Sequence, residues 1–395
     1  MADEEQLLPA PPPTPPPSPS PAPAPPGAAW RTSAAFWLLG VANNLPYVLM
    51  LSAARDILQG APVLAGNGST RDCNKESTGA VLLADILPTL LIKLVAPLGI
   101  HRLPYGPRVI TSCLCSWGSV TLVASGRRLA ESLGGVALAS AASGLGEVTL
   151  LALAAEYGRP ALSAWASGTG LAGLSGALLY GALAGAGLPL GPALLPALGL
   201  PPVSAASFLL LLPPPPGPPL PPPPALPRAR RWRVAKGALW AATPLGLVYF
   251  LEYLINQGLL DLLEFPSSSL THNEQYRWFQ LLYQSGVFVS RSSLRCLRLR
   301  RLWVLPLLQL LNAALLLAAV LVPFLPGVGV AFALVGWEGL LGGVAYGSSF
   351  LLVAEQAGPA AQALAVTTAA LTDALGIALA GAAAMGTHRL LCPPK

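Results

Sequence analysis

Charge is scarce in this chain. Its 395 residues include 23 Lys and Arg and 17 Asp and Glu, 10% in all, where an ordinary soluble domain carries about 25%. Together with 53% apolar residues and a mean hydropathy of +0.60, that scarcity excludes a water-soluble fold of this size and a wholly disordered chain. The three histidines lie far apart, which gives no metal-ligand set. The five cysteines (73, 113, 115, 296, 392) are odd in number and show no Cys-x-x-Cys or zinc spacing. Cys113 and Cys115 read as packing residues inside an apolar run. No phosphate loop, nucleophile elbow or cluster of metal ligands is visible, so no cofactor and no enzymatic activity are expected. A cleavable signal is missing as well: Asp3, Glu4 and Glu5 stand where a positive n-region belongs, and Pro, Ser and Ala follow. The net charge of +6 does not point to nucleic acid, because the basic residues sit in short connections between apolar runs.

What the chain has in excess is proline and long apolar runs. More than half of the 43 prolines fall in Pro9–Pro26 and Pro213–Pro227, low-complexity tracts that favour solvated polyproline-like segments. After the first tract come windows long enough for the roughly 20 residues of a spanning helix: 34–54, 79–99, 109–126, 130–153, 161–185, 192–212, 238–260, 275–290, 302–323, 328–354 and 360–385. The lipid bilayer is therefore the first partner. The eighth span is short and polar and needs shielding by its neighbours. The chain divides into a cytosolic tail (1–33), a six-helix half (34–212), a Pro/Arg-rich linker (213–236), a five-helix half (237–386) and a short luminal tail (387–395).

Lys and Arg set the orientation. With the N-terminus cytosolic, fourteen of the 23 fall on the cytosolic side, among them Arg31, Arg102, Arg108 and the runs 228–236 and 291–301. The opposite side holds Asn67-Gly68-Ser69, a glycosylation acceptor sequence, and the acidic loop Asp261–Glu274. An odd number of spans puts the C-terminus on that side. The chain also resembles itself at an offset of about 200 residues: Ala155-Glu156-Tyr157-Gly158-Arg159-Pro160 is echoed by Ala354-Glu355-Gln356-Ala357-Gly358-Pro359, and Trp37 with Asp56 by Trp240 with Asp261. The fold class expected is an all-α polytopic membrane protein, major-facilitator-like, with two pseudo-repeated helical halves and about eleven transmembrane helices, its substrate cavity between the halves.

Ionisable groups inside spans cost roughly 3 kcal/mol each at the bilayer centre, and their placement is the chief functional signal. Tyr249, Glu252, Tyr253 and Asn256 fall on one helical face, as do Tyr276, Gln280, Tyr283 and Gln284 with Arg277 beside them. Asn43, Asn44 and Tyr47 lie in the first span, Asp85, Thr89 and Lys93 in the second, and Ser140, Ser143 and Glu147 in the fourth. These residues are the candidate lining of a hydrated cavity. Amides and hydroxyls suit a polyhydroxylated solute, Arg277 or Lys93 an anionic group, and the tyrosines an organic cation. Glu252 or Glu147 could carry a coupled proton. The alternative is static contact between helices. For Lys93, close to the cytosolic end of its span, snorkelling to the headgroups competes with a cavity role. Asp85, Lys93, Arg291, Glu338 and Asp373 are candidates for gating or structural contacts.

Several stretches resemble the battenin family, membrane proteins associated with juvenile neuronal ceroid lipofuscinosis. They are Phe36-Trp37-Leu38-Leu39-Gly40 with Asn43-Asn44, Val81 to Thr89, Ser143-Gly144-Leu145-Gly146-Glu147-Val148-Thr149, Glu252-Tyr253 with Ile255 to Leu259, Gln275-Tyr276-Arg277-Trp278, Ser290 to Arg295 and Glu338 to Gly343. The resemblance extends from residue 30 to 392. It implies a glycoprotein of lysosomal and late endosomal membranes that clears glycerophosphodiesters, deacylated remains of phospholipids. It also places Glu252, Arg291 and Asp373 at positions where substitutions accompany disease. The family's chain ends in a prenylation box; here Cys392-Pro393-Pro394-Lys395 is poor for that modification. Asp3-x-x-x-Leu7-Leu8 fits an acidic dileucine signal read by cytosolic sorting adaptors. Two rival functions stand beside export of glycerophosphodiesters: a non-transporting scaffold or trafficking regulator, and an exporter of another solute such as a basic amino acid or nucleoside.

Overall fold

The apolar runs become helices that begin and end where local chemistry dictates. In a computed structural model, residues 28–59, 77–100, 103–214, 227–293, 299–358 and 361–392 are described. Asp3, Leu7, Leu8, Asn67, Cys73 and Cys296 lie outside them, as does most of each proline tract. The helices are α1 (Ala28–Ser52), α2 (Ala54–Gln59), α3 (Thr78–Gly99), α4 (Tyr105–Ser125), α5 (Leu129–Tyr157) and α6 (Arg159–Gly185). α7 (Leu190–Leu194) and α8 (Leu200–Ala206) then form one broken segment, joined by a 3-10 turn and closed by a π turn over Ser207–Leu211. α9 (Arg228–Leu254), continued by a π turn over Ile255–Leu259, leads to α10 (His272–Ser292), α11 (Val304–Leu321), α12 (Val328–Ala357) and α13 (Gln362–Leu391).

Among the described residues, counting the broken segment once and setting aside the short α2, eleven segments are long enough to cross a bilayer. Eight also pass on apolarity; α4, α6 and the polar α10 do not, and α10 is sheltered between α6 and α12. Three boundaries differ from the sequence reading. α1 starts at Ala28, inside the stretch assigned to the cytosolic tail, α9 starts at Arg228, inside the stretch assigned to the linker, and α13 continues to Leu391, into the segment assigned to a luminal tail. All three extensions carry Arg, a good helix former whose long stem lets its charge reach water beyond an apolar segment.

Caps mark several ends. The Ser77 hydroxyl accepts from Gly79 N at 3.1 Å, and Thr271 and Glu274 form a reciprocal box at the start of α10. The echoed sequence motifs share one geometry. Gly158 ends α5 at φ +83° and Gly358 ends α12 at φ +69°, a region of backbone space open to glycine.

The contacts repeat in the same way. α1 lies along α6 as α9 lies along α13, α3 pairs with α5 as α10 pairs with α12, and the two groups of helices meet where α3 packs on α13 and α6 on α10. Large apolar side chains such as Leu210 (75% exposed), Trp240 and Leu307 point outward. The interior carries buried Asp85, Lys93, Glu252, Glu338 and Asp373. Apolar surface outside and polar groups inside is the distribution a protein solvated by lipid requires.

Candidate functional site

Small residues draw the helices close enough for their charges to meet. A side chain at Gly144 of α5 would come within 2.8 Å of the Thr89 Cα in α3. At that crossing Thr89 Oγ1 donates to Ser140 O at 2.7 Å. One turn further along α3, Lys93 meets Glu147, one turn beyond Gly144 on α5. Its Nζ lies 2.9 Å from Glu147 Oε2 and 3.1 Å from Asp373 Oδ1 on α13. Lys93 therefore does not reach out to headgroups; it is 2% exposed and anchored between two carboxylates.

On the other wall, α10 crosses α6 at Gly170, whose missing side chain leaves room for the stem of Arg291. The guanidinium donates to Thr169 Oγ1 at 2.7 Å and to Tyr249 Oη at 2.9 Å, and lies 4.1 Å over the Tyr346 ring. Its Nε meets no acceptor among the described residues. Arg291, assigned by sequence to gating or structural contacts beside a basic cytosolic loop, is thus a cavity residue in the last turn of α10.

Between these walls lies a small polar cavity of about 60 Å³. α1 gives it Asn44 and Tyr47, α3 Ile86, Thr89 and Lys93, and α5 Ser143 and Glu147. From the other half come Tyr249 and Tyr253 of α9, Arg291 of α10, Tyr346 of α12, and Asp373 and Ile377 of α13. Four tyrosines, two cations and two carboxylates thus face one space.

The helical stripe on α9 is divided. Tyr249 and Tyr253 face the cavity, whereas Glu252 accepts from Tyr283 Oη of α10, and Asn256 donates to Glu338 Oε1 of α12 at 2.9 Å. Glu252 and Asn256 therefore join α9 to α10 and α12 within the C-terminal group and do not line the cavity. The α10 stripe goes the same way: Tyr276 donates to Gln257 Oε1, Gln280 donates to Asn256 Oδ1, and Gln284 fills the space over Gly173 of α6. Asn43 donates to Ser143 O at 3.1 Å and faces a separate small pocket beside Ser112. Asp85 is fully buried with neither carboxylate oxygen meeting a donor among the described residues.

Arg277 is not in the cavity either. At the face where α1 ends, its Nη2 lies 2.9 Å from Asp56 Oδ2, which also accepts from Tyr180 Oη at 2.6 Å. The partner arrangement is crossed: Arg55, beside Asp56, holds Asp261 Oδ1 at 2.8 Å. His272 ring nitrogens lie 3.2 and 3.3 Å from the same guanidinium, and Asn273 Oδ1 accepts from its Nε at 2.9 Å. The acid ending the first span and the acid ending the seventh thus each grip an arginine of the other half. Between this double latch and the cavity, Tyr47 and Tyr253 hydroxyls approach to 3.3 Å.

On the opposite face, among the described residues, Arg159–Glu355 is 3.9 Å long and exposed, and a cleft of about 490 Å³ opens beside Trp37, Ser167 and Ser292. Cys113 and Cys115 are free, and Cys392 is disulfide-bonded. Among the described residues no group of three His, Cys, Asp or Glu could hold a metal ion. Sequence reasoning missed Thr169 and Tyr346; neither stands in a polar stripe, and only the packing of α6 and α12 brings them to Arg291.

Comparison with known proteins agrees with this architecture. The family model described as CLN3 protein matches residues 34–219 and 227–393. Battenin of dog (Canis lupus familiaris) is 48% identical over 93% of this chain and 92% of its own length. Protein BTN1 of Yarrowia lipolytica is 37% identical over 91% of this chain and 94% of its own. Among solved structures, a bacterial homolog of the human lysosomal transporter Spinster, inward-facing and unoccupied, superposes with a TM-score of 0.59 at 15% identity. That match covers 90% of this chain and 81% of the other, a likeness of fold.

Proposed function

Because the chain belongs to the CLN3 protein family, we propose that it is a lysosomal and late endosomal membrane transporter that exports glycerophosphodiesters by alternating access. The observation that carries this reading is Arg291, a guanidinium on the wall of a polar cavity between two groups of helices, with a buried Nε unpaired among the described residues. A phosphodiester has one anionic charge and planar pairs of oxygens that suit such a fork. Its glycerol hydroxyls match Asn44, Thr89 and Ser143, and a choline headgroup would meet the faces of Tyr47, Tyr249 and Tyr253. The work assigned to these residues is binding and release, that of a carrier and not of an enzyme.

The charge pattern supports a cytosolic N-terminus. The face of the double latch is then luminal, the side on which Asn67 would be glycosylated. Export begins with rupture of Arg55–Asp261 and Asp56–Arg277, which lets substrate in from the lumen; their re-formation with opening near Ser167 and Ser292 releases it to the cytosol. Asp3, Leu7 and Leu8 would direct the protein to lysosomes through sorting adaptors. A scaffold role has no use for a cation on a cavity wall, and a purely cationic solute would be repelled by Arg291.

The test is counterflow of labelled glycerophosphoglycerol in liposomes containing the full chain. Replacing Arg291 by Gln removes charged hydrogen bonds of about 2–3 kcal/mol, an expected ~30- to 150-fold loss of apparent affinity. Wild-type affinity in that variant would sink the proposed site.

A further inference from the structure

The cavity wall carries its charges in unequal groups. Lys93 Nζ touches two carboxylates, Glu147 Oε2 at 2.9 Å and Asp373 Oδ1 at 3.1 Å, and the three side chains are 3%, 12% and 5% exposed. Among the described residues, the remaining titratable groups that face this cluster are phenols: Tyr249 from α9, close to Asp373, and Tyr346 from α12, close to both carboxylates. Asp373 Oδ1 also accepts from the Ala374 backbone N–H. Fully ionised, the cluster has two negative charges against one positive in a poorly solvated place.

Arg291 stands on the other side of Tyr346, with the buried Glu252 of α9, held by the Tyr283 hydroxyl, behind it and off the cavity wall; among the groups that line the cavity itself, Lys93 and Arg291 balance Glu147 and Asp373. A monoanion bound to Arg291 would cancel that distant positive charge and leave the cluster with its excess uncompensated. Charge that cannot be compensated by water or a partner is unfavourable in a low-dielectric interior. One proton on the cluster restores the balance.

Resting on the carrier reading above, we propose that the Lys93–Glu147–Asp373 cluster takes up one proton with each monoanionic substrate, so that transport is an electroneutral proton–anion symport. The two ligands help each other by linkage: substrate on Arg291 favours the proton, and the proton favours the substrate to the same degree. An acidic compartment would then load the carrier with both, and a neutral one would release both.

The experiment uses the full chain in liposomes with an entrapped pH indicator and glycerophosphoglycerol as the probe. Wild-type flux is expected to carry about one proton per substrate, to be unchanged by a valinomycin-set potential, and to lose up to about tenfold in apparent affinity per pH unit as pH rises. Asp373→Asn leaves Lys93 paired with Glu147 alone, and Glu147→Gln leaves it paired with Asp373 alone. Each variant keeps one ammonium against one carboxylate and is expected to lose the pH slope, whatever its absolute rate. Substrate exchange without proton movement, a slope retained in both variants, or replacement of the proton by sodium would overturn the coupling while leaving the carrier intact. No exchange at all by the wild type would overturn the transport reading and the coupling with it.

Discussion

Arg291 and Lys93 stand on opposite walls of one cavity but are held differently. Arg291 has neutral direct partners, Thr169, Tyr249 and the Tyr346 ring, and feels the Glu252 carboxylate only from behind the cavity wall, so its guanidinium is not tied up in an ion pair. Lys93 is tied to Glu147 and Asp373, and its charge serves the protein. Removing it alone is expected to be severe: Lys93→Met leaves two buried carboxylates side by side, a destabilisation of about 3–5 kcal/mol on the scale of broken buried ion pairs. Lys93→Met combined with Asp373→Asn and Glu147→Gln should recover most of it. Thermal unfolding of the single and triple variants checks this, and equal instability of the two would refute it. Lys93 and Asp373 were legible as polar residues inside spans, but their partnership was not, because they lie 280 positions apart in different halves. Arg291 was hidden among basic neighbours: the run Arg291 to Arg301 reads as one cytosolic loop, yet α10 continues to Ser292 and takes Arg291 inside.

For the helices, sequence length and apolarity gave most spans, and the paired Gly-containing motifs at Gly158 and Gly358 gave the repeat. Faces were less legible. A 3.6-residue period places Tyr249, Glu252, Tyr253 and Asn256 on one stripe, but α9 is packed against α11, α12 and α13, with side chains reaching α10, and its stripe meets several environments. The π turn at Ile255–Leu259 changes the rotation per residue just where Asn256 sits. Close packing also makes the glycines unequal. A side chain at Gly246 of α9 would approach Thr372 O of α13 to 2.9 Å, whereas one at Gly181 of α6 meets open space. Gly246→Val should separate α9 from α13 and lower thermal stability sharply. Gly181→Ala should be neutral or raise stability by up to about 1 kcal/mol through helix propensity. Melting curves of the two variants decide it; equal effects would mean that α9 and α13 are not so closely packed.

The whole molecule is asymmetric between its two faces. Short crossed ion pairs, one buried and one about one-fifth exposed, close the face where α1 ends, and among the described residues a long exposed pair spans the other; exposed pairs are worth about 0–1 kcal/mol. If the double latch sets the balance of conformations, Asp56→Asn with Asp261→Asn should open the latched face. A cysteine at Asn44, in a chain lacking its free cysteines, would then label faster with an impermeant thiol reagent from that face and slower from the other. Unchanged labelling on both faces would show that the latch is not a gate.

The sequence by itself determined that this protein lives in a bilayer, how many times its helices can cross, that its halves repeat, and to which family it belongs. Those properties are written in composition, period and motif, which local chain chemistry reads directly. Which polar residues share a cavity was decided only by tertiary structure. Helix crossings at Gly144 and Gly170 bring Lys93 to two carboxylates and Arg291 to three neutral partners, and a helix's rotation about its own axis is fixed by what its neighbours bury. The scarcity of charge that excluded water as a solvent acquires its meaning there. The few charges within and at the ends of the helix bundle are sorted by packing into crossed ion pairs at one face, a cavity-facing arginine and an acid-rich cluster.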